Sequence, residues 1–510
     1  MSNKSQNIAI IGSGFLGLTL ALRLAEQGNQ VTVYESAPEI GGLAGAWQIG
    51  DVVWDKHYHV TLLSDSFTRR IIEEIGLGDE FEWVETKTGF YTDGKLVSMS
   101  NTLEFLKFPP LDLISKFRLG ATIFYASKVE DWKALEKISV EDWLTKLSGV
   151  KTFEKMWKPL LKAKLGEAYR ETSAAFIWAT IQRMYAARNS GLKKEMFGYV
   201  RGGYARVLKR FGERLKEQGV EINLSSRIEN VEILSDGKVC VRVAESDEFN
   251  SVGNLLTTKT TTVPTLKTSN TSIEHSTLSA SENHLRSNVA LHPTLLNSSP
   301  SATKPDDAKL RNENQFDSVI LTCPSNIAAK ICSQLTENEK TKLENIKYQG
   351  IVCASVLMRK SLSNFYVTNI TDDVPFTGII EMSALVDKAE FGGNALVYLP
   401  KYVAPDDELF EKSDAEIEEI FINALEKMYS HFKRTDIVNF KISRVRQVFP
   451  LPTIDYSANV PSVETSLRNV FIVNSAQITN GTLNVNETIQ LAERFLAANY
   501  TNEHELREEI

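Results

Sequence analysis

A glycine-rich turn between a strand and a helix, close to the N-terminus, constrains this chain more than any other feature. The stretch IAIIGSGFLGLTLALRLAEQGNQVTVYE begins with an apolar strand at residues 8–11 and turns through Gly12, Gly14 and Gly17. Apolar residues then recur at helical spacing, and a second strand follows at residues 31–34. This order of strand, turn, helix and strand predicts a parallel α/β sheet that binds a dinucleotide.

Each glycine has its own role in such a site. Gly12 permits the tight turn, Gly14 lets the backbone approach a pyrophosphate, and Gly17 lets the helix pack closely on the strand. The helix N-terminus then offers unpaired N–H groups to the phosphate charge. Glu35 ends the second strand, where a carboxylate binds ribose hydroxyls and repels the 2′-phosphate of NADP. The predicted cofactor contacts in this segment are Gly12, Ser13, Gly14, Phe15, Leu16, Gly17, Glu35 and Ser36.

Composition and charge narrow the class of protein. The chain has 510 residues, enough for two or three domain-sized units, and its net charge of −8 argues against a nucleic-acid partner. The four cysteines are scattered, without the spacing of a metal site or a disulfide framework. The polar start MSNKSQ and the lack of a long apolar run predict a cytoplasmic protein that binds no metal.

The segment 246–315 differs from the rest of the chain. It is rich in Ser, Thr and Asn and has neither strand nor helix periodicity. Such a segment cannot bury enough apolar surface to offset the entropy of ordering it, so the sequence predicts a disordered insertion. The insertion is interpreted as a spacer in a surface loop, and a partner or modification site is the alternative.

The remaining chain divides into helical and strand-rich stretches. Residues 101–188 place apolar side chains mainly at helical spacing, and residues 348–402 have strand character. An amphipathic helix is predicted over residues 414–432. The C-terminal part follows as a strand, a polar Asn/Thr/Gly loop and a last helix.

A second glycine motif distinguishes between dinucleotides. Gly41, Gly42 and Leu43 follow Glu35 after a short loop. With this motif the first sixty residues resemble the flavoprotein superfamily of amine oxidases, protoporphyrinogen oxidase, carotenoid desaturases and UDP-galactopyranose mutase. The resemblance implies that FAD is the cofactor, and that Gly41, Gly42 and Leu43 lie along its pyrophosphate and ribityl chain.

Two later stretches strengthen the resemblance and imply the architecture. Residues 198–233 are similar to the second FAD segment, in which Ile228 would flank the adenine, and FDSVILTCP resembles the returning strand. The resemblance implies an α/β fold with a discontinuous, Rossmann-like three-layer FAD-binding domain, and a second α+β substrate domain with a helical insertion. The predicted FAD-binding domain comprises residues 1–100, 196–245, 316–340 and 455–510, and the substrate domain comprises 101–195 and 341–454.

The C-terminal signature departs from the superfamily. A strand that usually ends in Gly-Asp ends here in Val473-Asn474-Ser475. Asn474, Thr482 and Asn484 are the candidates for polar contacts on the flavin side, together with Asn486. The alternative is a loop capped by these same side chains.

His57 and His59 are the catalytic candidates. The triplet His57-Tyr58-His59 follows WQIGDVVWD, and on a strand both histidines would face the same side. The resemblance to desaturases and mutases, where a similarly placed histidine approaches the flavin ring, favours His57 first and His59 second. Strand histidines bonded to the backbone are the alternative.

Substrate contacts are predicted in and just after the helical stretch. Lys164, Arg183 and Arg201 could meet an anionic substrate, and Tyr185 belongs to an aromatic group that could line an apolar pocket. Solvated charges and ordinary core packing are the alternatives. The segment LEFLKFPPLDLISKFRLGATIFY is expected to form a buried helix, with a membrane interface as the alternative.

The function predicted from these features is that of an FAD-dependent oxidoreductase. It would take a hydride from an organic, apolar small molecule onto flavin N5 and pass electrons to oxygen or another acceptor. The alternatives are a redox-neutral isomerase of the UDP-galactopyranose mutase kind, a non-catalytic flavoprotein and an NAD-only dehydrogenase.

Deleting residues 250–312 tests the predicted insertion. The shortened protein should stay soluble and keep its flavin, because a disordered segment contributes no packing. Visible absorbance and thermal unfolding of both forms check this. A shortened protein that lost flavin or aggregated would show that the segment is structural.

Overall fold

In the part of the chain that the structure describes, the strands lie in two large and three small sheets. The computed structural model describes residues 5–189, 196–244 and 313–500. Within these ranges the strands are β1 (Asn7–Ile11), β2 (Gln30–Tyr34), β3 (Ala46–Ile49), β4 (Val52–Asp55), β5 (Thr61–Leu62), β6 (Phe81–Glu85), β7 (Thr88–Thr92), β8 (Lys95–Ser98), β9 (Met196–Val200), β10 (Glu221–Asn223), β11 (Ile228–Ile233), β12 (Val239–Val243), β13 (Glu313–Phe316), β14 (Ser318–Leu321), β15 (Tyr348–Met358), β16 (Val367–Ile370), β17 (Gly378–Glu381), β18 (Ala395–Val403), β19 (Ile437–Pro450) and β20 (Val470–Ile472).

Helices cluster between β8 and β9, where the sequence predicts a helical stretch. The α-helices of the described ranges are α1 (Phe15–Glu26), α2 (Ser66–Glu74), α3 (Thr102–Lys107), α4 (Leu113–Ala126), α5 (Trp132–Leu135), α6 (Val140–Ser148), α7 (Val150–Thr152), α8 (Lys158–Leu165), α9 (Ala174–Asn189), α10 (Gly203–Glu217), α11 (Ser325–Ile331), α12 (Glu337–Glu344), α13 (Asp414–Met428), α14 (Tyr456–Asn459) and α15 (Val485–Asn499).

The first two strands belong to a five-stranded parallel sheet in the order β10–β2–β1–β14–β20. Alternate side chains of the central strand β1 enter opposite cores, as strand geometry requires. Ile8 and Ile10 pack with α1, α10 and α15, whereas Ala9 and Ile11 pack with the small sheet β11–β12–β13. A sheet covered by helices on one face and a second sheet on the other confirms the predicted three-layer α/β arrangement.

The second large sheet has seven strands in the order β19–β15–β18–β17–β16–β7–β8. On one face, Ile351 and Cys353 of β15 and Tyr398 and Tyr402 of β18 belong to the core that includes α4, α6, α8 and α9. On the other face, Val352 and its neighbours pack against α13. One face of this sheet therefore packs against the helical region, and α13 covers the other face.

Sheet membership concerns two of the segments predicted from the sequence. The strands β7 and β8, which lie in the predicted FAD-binding segment 1–100, belong to the seven-stranded sheet. The strand β13 begins at Glu313, inside the predicted insertion 246–315, and residues 246–312 lie outside the described ranges. The division into an FAD-binding and a substrate domain stays a prediction.

Helix α4 corrects the expectation of a buried helix. Only a narrow stripe, which includes Leu119 and Ala126, is buried in the helical core. The opposite side leaves Leu113 and Ile114 74% exposed and Phe117 78% exposed. The pattern misled because an apolar stripe wider than the packing face looks the same in sequence as a buried helix. In the part of the chain that the structure describes, every helix is too short or too polar to cross a bilayer.

Candidate functional site

The turn between β1 and α1 is built so that helix and turn nearly touch. Gly12 has a φ of +108°, and a Cβ there would lie 2.6 Å from Thr322 Oγ1. A Cβ on Gly17 would lie only 2.0 Å from the carbonyl oxygen of Gly12. At Gly14, by contrast, a Cβ would meet none of the described atoms within 4 Å. Two glycines therefore hold the turn together, and the third leaves open space beside the helix N-terminus.

The paired glycines cross this turn directly. Gly41 N donates a hydrogen bond to the carbonyl oxygen of Ser13 at 2.8 Å, and Gly41 forms a parallel bridge with Gly14. Gly41 and Gly42 have φ values of +116° and +56°, in the left-handed region that glycine tolerates. A Cβ on Gly42 would lie 3.4 Å from the Cα of Gly14. The two glycine motifs predicted to follow one cofactor thus lie side by side.

Glu35 is held at the edge of this turn by its own chain. Its carboxylate accepts hydrogen bonds from Ser13 N and Ser13 Oγ, both at 2.8 Å, and from Ala37 N at 2.9 Å and Ser36 Oγ at 3.2 Å. A carboxylate has about four lone-pair sites, so ribose hydroxyls would replace the two serine hydroxyls and leave the two backbone donors in place. The carboxylate is therefore oriented before any cofactor binds.

The residues present fit FAD. Left-handed glycines, the open position at Gly14 and the helix N-terminus that begins with Phe15 and Leu16 form a cradle that a Cβ would fill. Ile228 opens β11, two residues beyond Ser226, whose N–H donates to the carbonyl oxygen of Glu35. The predicted adenine-side residues therefore lie close together. Their contact with a cofactor remains a prediction.

The histidine triplet does not continue a strand, because β4 ends at Asp55. His57 Nδ1 lies 3.3 Å from the carbonyl oxygen of Leu43, and His57 Nε2 lies 3.1 Å from Ser443 Oγ. Burial lowers the pKa of His57 to about 4, with the neighbouring His59 as a smaller cause. His57 is therefore neutral near pH 7. It joins β19 to the paired-glycine loop, by which we mean residues 41–43.

His59 faces a different group. Its Nδ1 lies 3.6 Å from Asp55 Oδ2, and its ring lies 4.9 Å from the ring of Tyr204. Asp55 also accepts a hydrogen bond from Tyr204 N at 2.8 Å, and burial raises the pKa of its carboxyl. The two histidines therefore contact different groups, and the strand on which both would face one side ends before them.

Lys164 and Arg183 are both engaged inside the protein, at separate places. Lys164 Nζ donates to Tyr402 Oη at 2.7 Å, and burial lowers the pKa of Lys164 to about 7. Arg183 makes a two-pronged contact with Asp65, at 2.8 Å and 3.3 Å. Arg201 lies on the surface, with its side chain 53% exposed and 3.7 Å from Glu82. Tyr185 lies in α9, but its side chain is outside the described parts.

Arg183 lines a cleft of about 280 Å³. Burial raises the pKa of Glu487, another lining residue. Among the predicted flavin-side residues, Thr482 and Asn486 reach this cleft. The lining residues are Ser64, Asp65, Trp178, Ala179, Gln182, Arg183, Asn480, Gly481, Thr482, Asn486 and Glu487.

The asparagines of the C-terminal loop act as caps. Asn474 is buried, its Oδ1 accepts from Ala476 N at 2.9 Å, and its Nδ2 donates to the carbonyl oxygen of Cys323 at 2.9 Å. Asn484 caps α15 by accepting from Glu487 N at 3.1 Å, and its Nδ2 donates to the carbonyl oxygen of Thr482. The geometry favours the capping alternative for both residues.

Sequence reasoning missed the tyrosines around Lys164. Tyr58 Oη lies 2.9 Å from Tyr402 Oη, and the Tyr58 ring lies 6.1 Å from that of Tyr398. Tyr398 Oη donates to the carbonyl oxygen of Asp55 at 2.5 Å. The spacing YLPKY in a strand puts Tyr398 and Tyr402 on one face, and this signal was available in the sequence. The Tyr58–Tyr402 contact joins distant segments and had no local signal.

The three-layer fold and the two glycine motifs, Gly12 to Gly17 and Gly41-Gly42, define an FAD-binding protein. Comparison with known proteins identifies its family. The profile of the flavin containing amine oxidoreductase family matches residues 17–258 and 301–490. The chain belongs to this family of FAD-dependent oxidoreductases.

A relative of known name agrees with this assignment, and solved structures share the fold. A zeta-carotene desaturase from a Synechocystis species is 24% identical over 262 residues, 46% of this chain and 52% of that protein. The chain thus spans about half the length of the curated relative it matches. The structure of a fatty acid isomerase from P. acnes superimposes with a TM-score of 0.65 at 13% identity, over 98% of this chain and 100% of that one. The structure of putrescine oxidase bound to putrescine superimposes with a TM-score of 0.63 at 14% identity, over 97% of this chain and 99% of that one. These two likenesses show the fold alone.

Two alanine substitutions separate cofactor binding from folding. Gly14→Ala should keep the free energy of unfolding of the flavin-free protein within about 1 kcal/mol, because the added methyl meets open space, yet flavin content should fall sharply. Gly17→Ala should destabilise the protein by about 3 kcal/mol, since the methyl meets backbone. Denaturant unfolding and visible absorbance measure both effects. A fully yellow Gly14→Ala protein would contradict the assignment of the open position to the cofactor.

Proposed function

We propose that this FAD-dependent oxidoreductase oxidises an apolar organic molecule in the way of desaturases and protoporphyrinogen oxidase, and not a cationic amine. The observation that carries the proposal is the wall beside the His57 loop. This wall is the face of the seven-stranded sheet that presents Tyr398 and Tyr402 of β18 and Phe449 of β19, and Lys164 of α8 packs against it. It is aromatic and carries a buried amine, so it repels a second cation and favours apolar surface.

FAD, when bound, supplies the two-electron oxidation, and the protein's residues position the partners. His57 ties the loop after the paired glycines to β19 through Leu43 and Ser443. Because His57 is neutral near pH 7, it places no positive charge beside the cofactor. The aromatic core of the helical region excludes water from the substrate side.

Membership of a flavin-dependent family of oxidoreductases favours net oxidation. It speaks against the NAD-only dehydrogenase, and it does not favour the redox-neutral or non-catalytic alternatives. The relative from Synechocystis is by its name a desaturase of zeta-carotene, which agrees with an apolar substrate. The electron acceptor is proposed to be oxygen or another small oxidant.

Anaerobic mixing tests the substrate class. Flavin-loaded protein is mixed with detergent-dispersed zeta-carotene, a partly reduced tetrapyrrole or putrescine, and the loss of visible flavin absorbance is followed. At least one of the two apolar compounds should bleach the flavin about tenfold faster than putrescine, because only an apolar molecule gains from burial against the aromatic wall. Bleaching by putrescine alone would overturn the proposal.

We also propose that α4 rests on a lipid surface. Leu113, Phe117 and Phe124 follow one another at spacings of four and seven residues and, with Ile114 next to Leu113, form one exposed apolar stripe. Exposed lysines flank the stripe: Lys107 precedes it, and Lys128 follows it with its Nζ 5.9 Å from the ring centre of Phe124. An apolar stripe with flanking cations is typical of a helix that lies in a membrane interface.

Vesicle flotation tests this contact. The protein should float with phosphatidylcholine vesicles that contain about a third of anionic lipid, and Phe117→Asp should reduce the floated fraction at least about fivefold, because it places a charge in the apolar layer. Ile420→Asp, at an exposed apolar residue of α13, is the matched control and should float like the wild type. Equal flotation of wild type and Phe117→Asp would refute the lipid contact.

A further inference from the structure

Lys164 occupies an unusual position for a lysine. It lies at the end of α8, and its Nζ stands 3.9 Å from the ring centre of Tyr402 and 5.1 Å from that of Phe449. Its hydrogen bond to Tyr402 Oη continues to Tyr58 Oη, 2.9 Å further on. The side chain keeps some accessible surface although it lies deep in the protein, so part of it borders open space.

The charge of Lys164 lacks a counter-charge. Burial is the sole cause that lowers its pKa to about 7, and no carboxylate of the described residues offsets it. The other lysines of α8 differ, since Lys158 pairs with Glu154 at 2.8 Å and Lys162 with Glu167 at 2.5 Å. A buried cation without a partner costs free energy, which a bound anion would offset.

A second unmet donor lies at the same end of α8. Gln349 of β15 is 2% exposed, and its Nε2 has no hydrogen-bond partner within the described ranges. This nitrogen lies 3.7 Å from the position of a Cβ on Gly166, two residues beyond Lys164. Gln349 also pairs across the sheet with Phe449, one of the rings beside Lys164 Nζ. A buried amide N–H left without an acceptor is costly, and it fits the same ligand chemistry as the cation.

We infer that Lys164, Tyr402, Tyr58 and Gln349 form a subsite for the carboxylate of an otherwise apolar substrate. The inference rests on the proposed function, which places an apolar molecule against this wall. A carboxylate supplies the missing counter-charge and accepts from the ammonium, phenol and amide donors. The surrounding aromatic rings take the hydrocarbon part. Tyr58 follows His57, whose Nδ1 lies 3.3 Å from the Leu43 carbonyl oxygen, so the subsite borders the residue that contacts the segment after the paired glycines.

The groups around Lys164 give the subsite a defined pH dependence. Burial raises the pKa of Tyr58 to about 12 and raises those of Tyr402 and Cys353 as well. Burial lowers the pKa of His57 to about 4, so Lys164 is the group of this cluster that titrates near pH 7. Its ammonium form is lost as pH rises above about 7, and carboxylate affinity should fall by up to about tenfold per pH unit there.

Binding of matched probes tests the subsite without turnover. Titration calorimetry on the flavin-loaded protein compares three acids (hexadecanoate, retinoate and benzoate) with their alcohols. At least one acid should bind about tenfold more tightly than its alcohol near pH 6 and lose that advantage near pH 9. Lys164→Met should abolish the preference for the acid while the alcohol binds within about twofold of wild type, because the apolar wall is unchanged.

Two further variants keep the test decisive. Lys162→Met removes an exposed lysine of the same helix and should leave both affinities unchanged. Lys164→Arg keeps a permanent charge, so it should retain the preference for the acid and lose its pH dependence. If none of the three acids outbinds its alcohol, or if Lys164→Met keeps the preference, the subsite is wrong even where flavin bleaching succeeds. An acid preference that depends on Lys164, without any bleaching, would sustain the subsite and reject the proposed oxidation.

Discussion

The close approach of α1 to its own turn is the contact on which the rest of the structure depends. Gly17 and Gly12 touch where any side chain would collide with backbone, and this places the helix N-terminus at the carboxyl edge of the parallel sheet. The paired glycines then cross the turn through the hydrogen bond from Gly41 to Ser13. His57 contacts the segment that follows this crossing, since its Nδ1 lies 3.3 Å from the carbonyl oxygen of Leu43.

The fold was readable from the sequence wherever local pattern and tertiary packing agree. The continuous apolar run from Ile8 to Ile11 indicates a strand buried on both faces, and the amphipathic stretch that begins at residue 414 forms α13. The sequence pattern and the tertiary packing disagree at α4, where no other element covers the apolar surface in the described part of the chain. The apolar residues of α4 gave a correct helix and a wrong burial, because periodicity reports which residues are apolar and not whether a partner covers them.

The residues of the candidate site also divide into those that a local sequence pattern predicts and those that it does not. The glycines and Glu35 could be found because each is required by the backbone of one continuous segment. Asn474 could not be assigned from sequence, since an asparagine after a strand serves equally as a cap or as a ligand. The array around Lys164 joins β18, α8 and the loop after β4 across more than 200 residues, and pairing at that range leaves no local pattern.

Two arginines have acidic partners, whereas Lys164 has none among the described residues, and this contrast argues for a ligand at Lys164. Arg183 enters the interior with Asp65 as a partner, and Arg23 is surrounded by Glu26, Glu74 and Glu493. A fold that supplies carboxylate partners for Arg183 and Arg23 could have met Lys164 with a carboxylate or replaced it with an apolar side chain at lower cost. Keeping an amine whose pKa burial lowers to about 7, at the same end of α8 as a buried amide, makes physical sense if the acceptor arrives with the substrate. The same cluster would then set both the binding of the acid and its direction relative to the glycine cradle.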